Sequence, residues 1–93
     1  MIKMNEYFDG NVKSLALTTP EGPATVGVIA PGDYEFGTAS VEIMTVISGV
    51  LDVKLPGQAE FKPYAAPESF TVESGQKFQV RARADVAYLC AYR

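Results

Sequence analysis

The chain has no histidine and a single cysteine, Cys90, so the side chains that most often bind metals or activate nucleophiles are nearly all missing. Cys90 lies in the apolar run Val86-Ala87-Tyr88-Leu89-Cys90, with no histidine to draw off its proton, and reads as an inert buried thiol. One cysteine also excludes an internal disulfide. Glu42 opens the run Glu42-Ile43-Met44-Thr45-Val46-Ile47-Ser48, and Met44 and Val46 share its face. With those two in a core, the carboxylate faces inward and requires a partner or a ligand; an exposed glutamate at a hairpin edge is the alternative. The cations Lys77, Arg81, Arg83 and Arg93 gather near the end of the sequence. A solvated strand face accounts for most of them, and a phosphate or small anion needs only one or two.

These side chains are carried on strands. No segment shows helical periodicity, and apolar residues come in short runs or strict alternation, broken by Gly and Pro. Nine strands are predicted: 12–17, 24–30, 34–38, 42–48, 50–55, 60–64, 69–72, 78–82 and 86–92. Leu51, Val53 and Leu55 oppose Asp52 and Lys54, and Phe78, Val80 and Ala82 oppose Gln79, Arg81 and Arg83; both patterns mark half-buried strands. Many short strands with tight turns predict an all-β sandwich or barrel, and 93 residues without repeat or linker predict one domain, 1–93.

Composition narrows the partners. With 47% apolar and 20% charged residues the chain is globular, and a net charge of −3 supplies no basic stripe for a nucleic acid backbone. No run approaches the ~20 apolar residues of a membrane span and no apolar leader opens the chain, so the expected location is cytoplasmic. The small size makes a homodimer plausible.

Pro31-Gly32-Asp33-Tyr34-Glu35-Phe36-Gly37-Thr38, followed by Glu42 and by Gly49 seven residues on, resembles the first motif of the cupins. That motif runs from a glycine turn through a His-x-His strand to a glutamate and a hairpin glycine. Glu73-Ser74-Gly75-Gln76-Lys77-Phe78 resembles the second motif, which ends in a metal-binding histidine. The resemblance implies a cupin-type, jelly-roll-like β-barrel whose metal positions fall on or beside Phe36 and Thr38 and on Phe78. One carboxylate among such residues holds no transition metal tightly. The same set suits an organic ligand: rings to stack, a hydroxyl, and a carboxylate that accepts two hydroxyls.

The whole chain resembles the pyrimidine/purine nucleoside phosphorylases. The likeness rests on Asn5-Glu6-Tyr7-Phe8, Gly10, Val12-Lys13-Ser14, Val26-Gly27-Val28, Met44-Thr45-Val46-Ile47-Ser48-Gly49, Phe70, Val72, Phe78 and Tyr88-x-Cys90-x-Tyr92. Val41, Pro67 and Glu73 depart from the family pattern at loop and strand-end positions. The resemblance implies phosphate-dependent cleavage of purine and pyrimidine nucleosides to free base and ribose 1-phosphate, with nucleoside and inorganic phosphate as partners and no cofactor or metal. Phosphate is itself the nucleophile, so the protein has to orient two substrates and stabilise a ribosyl cation. On this reading Glu42 is the catalytic residue, accepting ribose hydroxyls and favouring the cationic sugar. Phe36, Phe78 and Tyr88 stack on the base beside Met44, and stacking tolerates any base. Thr38 bonds sugar or phosphate. Arg81 and Lys77 are the phosphate candidates, although alternation places Arg81 opposite Phe78, so that it reaches a pocket only at its mouth or across a subunit boundary.

Plain core packing is the rival account of Phe36 and Phe78. For the whole chain the rival is a non-catalytic cupin module that binds a sugar or nucleoside. A sugar isomerase would want a histidine or a metal, and a purely structural barrel would leave Glu42 on the surface.

Overall fold

A computed structural model describes residues 1–93 and contains ten strands and one 3-10 turn. In chain order these are β1 (Met4–Tyr7), the turn Phe8–Gly10, β2 (Val12–Thr19), β3 (Gly22–Ile29), β4 (Gly32–Gly37), β5 (Glu42–Ser48), β6 (Val50–Lys54), β7 (Lys62–Ala65), β8 (Ser69–Val72), β9 (Lys77–Ala82) and β10 (Val86–Tyr92). The strands form an antiparallel six-stranded sheet, β1-β2-β3-β10-β5-β8, and an antiparallel four-stranded sheet, β4-β9-β6-β7. Their inner faces enclose one cluster of 15 buried apolar residues. No helix is long and apolar enough to cross a membrane.

Alternation builds the interior. In β5 the residues Met44 and Val46 are buried and Glu42 is half-buried on the same face, while in β9 Phe78, Val80 and Ala82 are buried between more exposed neighbours. Gly49 turns β5 into β6 with φ of +88°, and a side chain there would come within 2.9 Å of the Asp85 carbonyl. The sequence pattern missed β1, because Met-Asn-Glu-Tyr shows no alternation and none of its residues is buried. It enters the sheet through register alone, pairing Met4 with Leu15 and Tyr7 with Val12. Strand β7 is shifted to Lys62–Ala65 from the expected 60–64.

Two kinds of inward row result. At one end Val12, Ile29 and Val86 stand abreast on β2, β3 and β10, all fully buried. Further along come Ser14, Gly27, Tyr88 and Val46, then Thr25, Cys90 and Met44, and finally Tyr92 beside Glu42. The aliphatic end is filled by residues whose burial contributes ~1.5–3 kcal/mol each. The other end carries the polar and aromatic side chains.

Candidate functional site

A cavity of about 240 Å³ opens at that second end. The six-stranded sheet supplies Glu42 and Met44 from β5, Tyr88, Cys90 and Tyr92 from β10, and Ser14 from β2. The four-stranded sheet supplies Glu35, Phe36 and Gly37 from β4 and Phe78 from β9, and Tyr7 and Phe8 close the rim. Hydroxyl, thiol and carboxylate groups therefore face an aromatic wall. Phe36 packs on Phe78 with ring centroids 5.7 Å apart, and Phe8 meets Phe36 edge-on at 5.6 Å.

Glu42 stands at the centre of the polar side. Its Oε1 accepts a hydrogen bond from the Cys90 thiol at 3.4 Å, a weak donor. No Lys or Arg lines the cavity. Burial without a cation raises the carboxyl above its usual 4.5, and the thiol contact only partly offsets this. Burial pushes both Tyr88 and Cys90 up to about 12, the thiol further disfavoured as an anion by Glu42 beside it. Tyr92 is raised by burial as well, and its hydroxyl lies 3.0 Å from Thr25 Oγ1. The Glu42 carboxyl thus sits among hydroxyl and thiol groups whose own ionisation burial disfavours.

Gly27 makes the position of Tyr88 possible. An added Cβ would sit 2.6 Å from the Tyr88 ring and hydroxyl, so only glycine lets that ring lie flat against β3.

Five of the expected site residues, Glu42, Phe36, Met44, Phe78 and Tyr88, meet in this cavity. Two do not. The Thr38 hydroxyl donates to the Glu73 carbonyl at 2.6 Å and accepts from the Gln76 amide at 3.0 Å, and the residue is buried outside the lining. It ties the end of β4 to the turn before β9, which leaves nothing of it for sugar or phosphate. Arg81 points out of the opposite face of β9. It holds Asp33 at 2.9 Å and lies 4.4 Å over the Phe61 ring, in an open groove shared with Asp52 and Arg83. That groove is larger, about 670 Å³, but it lies outside the four-stranded sheet, away from Glu42. The strand alternation already required this. Tyr7, Phe8, Ser14, Glu35 and Tyr92 join the lining without having been singled out for it, although Tyr7, Phe8, Ser14 and Tyr92 belong to the blocks that carry the family likeness.

The cupin fold raises the question of a metal. No three His, Cys, Asp or Glu side chains converge anywhere in the chain, and beside Glu42 the donors are a thiol and phenols held protonated. These residues do not fit a cupin metal site.

The architecture is that of a cupin. An RmlC-like cupin from Shewanella frigidimarina superimposes with a TM-score of 0.75 at 15% identity, covering 98% of this chain and 82% of that one. A protein of unknown function from Vibrio parahaemolyticus superimposes more tightly, with a TM-score of 0.95 at 44% identity over 100% and 99% of the two chains. The model of the pyrimidine/purine nucleoside phosphorylase family matches residues 2–92. Proteins bearing that name from Pseudomonas entomophila and Alcanivorax borkumensis are 59% and 58% identical, covering 100% and 99% of this chain and 99% and 98% of their own. The chain belongs to the pyrimidine/purine nucleoside phosphorylase family.

Proposed function

We propose that this protein is a nucleoside phosphorylase that cleaves purine and pyrimidine nucleosides with inorganic phosphate, giving the free base and ribose 1-phosphate. The observation that carries the reading is the two-sided lining around Glu42: a hydrogen-bonding floor opposite an aromatic wall. A nucleoside has the same division. Its ribose hydroxyls suit a carboxylate that accepts two hydrogen bonds, and its base suits rings that stack without reading base edges.

In the reaction, a phosphate oxygen bonds to C1′ of the ribose while the glycosidic C–N bond breaks. The bonding pair leaves with the base nitrogen, which takes up a proton. Positive charge grows on the ribose between those events, and the Glu42 carboxylate, on the polar side of the cavity, is placed to stabilise it. Phe36 and Phe78 hold the base, and Met44 fills the space beside them. The floor offers the nucleophile neutral donors, the Ser14, Tyr88 and Tyr92 hydroxyls, rather than a guanidinium. Family membership and the shared name of the relatives support the same reading.

The test is base release from inosine and uridine by the purified protein, with and without phosphate. Phosphate-dependent release of base and ribose 1-phosphate is expected, and Glu42→Gln should lower kcat/KM by roughly 10²–10³-fold, the usual loss when one transition-state charge stabiliser is removed. Release indifferent to phosphate, or none, sinks the reading. A Glu42→Gln protein of unchanged rate removes Glu42 from its role.

A further inference from the structure

The turn after β1 is built against the conformational preference of its residues. Phe8 and Asp9 have φ of +53° and +56°, and Gly10 follows at +87°. A glycine adopts that region freely, whereas a phenylalanine seldom does, and two non-glycine residues in succession are rarer still. The turn is nonetheless tightly held. The Asn11 amide and side-chain Nδ2 both donate to the Phe8 carbonyl, at 3.1 and 3.0 Å, and the Ala30 amide donates to the Asn11 carbonyl at 2.8 Å.

Strain that surrounding bonds over-determine is a feature of functional sites, and here it has a definite result. It sets the Phe8 ring on the cavity rim, 5.0 Å from Tyr34 and edge-on to Phe36 at 5.6 Å. The residue is 42% exposed although two aromatic neighbours, Tyr34 and Phe36, flank it. Covering the core does not require an aromatic residue in a left-handed turn; a glycine there with a leucine one position along would do so without strain. Presenting a ring face to an occupant of the cavity does require one.

We infer that Phe8 is a specificity-determining residue: its ring, held at the mouth by the left-handed turn, extends the Phe36–Phe78 wall and grips the nucleobase by stacking. This rests on the nucleoside reading of the cavity. Phe36 and Phe78 lie inside and form the near part of the wall, while Phe8 adds area at the mouth, where the far ring of a purine projects beyond a pyrimidine. Phe8 therefore favours purine nucleosides over pyrimidine ones through contact area alone, without excluding either.

Steady-state phosphorolysis of inosine and uridine at saturating phosphate tests this with Phe8→Ala, Phe8→Leu and Phe8→Tyr, each checked for native melting by circular dichroism. Stacking measured by alanine substitution corresponds to roughly 5–150-fold per base. Phe8→Ala should raise KM for inosine about tenfold, and for uridine less, with kcat within about threefold. Phe8→Leu keeps apolar bulk but lacks a π face and should behave like alanine; Phe8→Tyr should restore the wild-type KM. Unchanged KM in Phe8→Ala, full retention by Phe8→Leu, or a larger loss for uridine overturns the inference while wild-type activity leaves the nucleoside reading standing. Absence of phosphorolysis in the wild-type protein overturns both. If Phe8→Ala melts far below the others, Phe8→Leu and Phe8→Tyr, which preserve volume, decide the matter by themselves.

Discussion

The two ends of the barrel interior follow one rule of alternation and reach opposite outcomes. At one end Val12, Ile29, Val86, Leu51, Val53 and Val80 exclude water completely. At the other the inward positions of β2, β10 and β5 carry Ser14, Tyr88, Cys90, Tyr92 and Glu42, and a cavity remains. β10 alone shows the change, from Val86 through Tyr88 and Cys90 to Tyr92 within seven residues. Strand geometry decides only that these side chains point inward. Side-chain chemistry decides whether the interior closes.

Stability and activity should therefore separate along the barrel axis, and the filled end offers the largest expected effect. Leu51 is fully buried and pairs with Ala82 and Tyr64. Truncating it to alanine removes a buried side chain and leaves a void, at a cost of about 2–5 kcal/mol. In a chain of this size each kcal/mol lowers Tm by ~4–8 °C. Below its melting range the Leu51→Ala protein should keep the wild-type KM for inosine. An altered KM with an unchanged Tm would erase the division between the two ends.

Glu42 should behave in the opposite sense. Its folded-state pKa is raised by burial, so ionising it costs more in the native protein than in the unfolded chain. The stability it contributes is full below the ordinary 4.5 and is lost as pH rises through the higher folded value. Glu42→Gln should accordingly melt above the wild type at neutral pH, with the gap closing as pH falls through the raised folded value and gone below 4.5. A site that gains stability as it loses activity is the usual trade for a buried functional charge. If the carboxylate form is the active one, the acid limb of kcat/KM for nucleoside at saturating phosphate lies above 4.5, because Tyr88, Cys90 and Tyr92 stay protonated throughout. A limb at or below 4.5, or a Glu42→Gln protein less stable at neutral pH, contradicts this account.

Period-two patterning was enough to reveal most of the strands and the inward face of Glu42, Met44 and Val46, because one face of each strand is buried and the other is not. The cupin spacing then brought Phe36 and Phe78 to Glu42 from the opposite sheet, where alternation by itself cannot say which strands face each other. β1 escaped because an edge strand with no buried residue has no pattern to read. Thr38 lies outside the cavity lining, held by hydrogen-bond partners 35 and 38 residues away that nothing local announces. Gly27 is the reverse case: its necessity exists only once the Tyr88 ring lies over it. Phe8 was visible as part of a family block but not as a rim residue, since the left-handed backbone that aims it is not encoded by residue type.

Arg81 separates the two kinds of reasoning, because the alternation of β9 and the demand for a phosphate ligand pointed different ways. The outward face holds: the guanidinium bonds to Asp33 and covers Phe61, and its side chain is 41% exposed. Exposed pairs of this kind contribute little to stability, and Arg81 does not line the cavity. Arg81→Ala should therefore leave kcat/KM for nucleoside and KM for phosphate within about twofold of wild type, the smallest change of the set. Loss of phosphate affinity in that variant would mean that the outer groove reaches a cavity after all, and within one chain it does not. Such a result would require a second copy to bring its Arg81 to the mouth beside Phe8. Phosphate KM measured across protein concentration, in the wild type and in Arg81→Ala, distinguishes these cases, because a shared site weakens on dilution and a self-contained one does not.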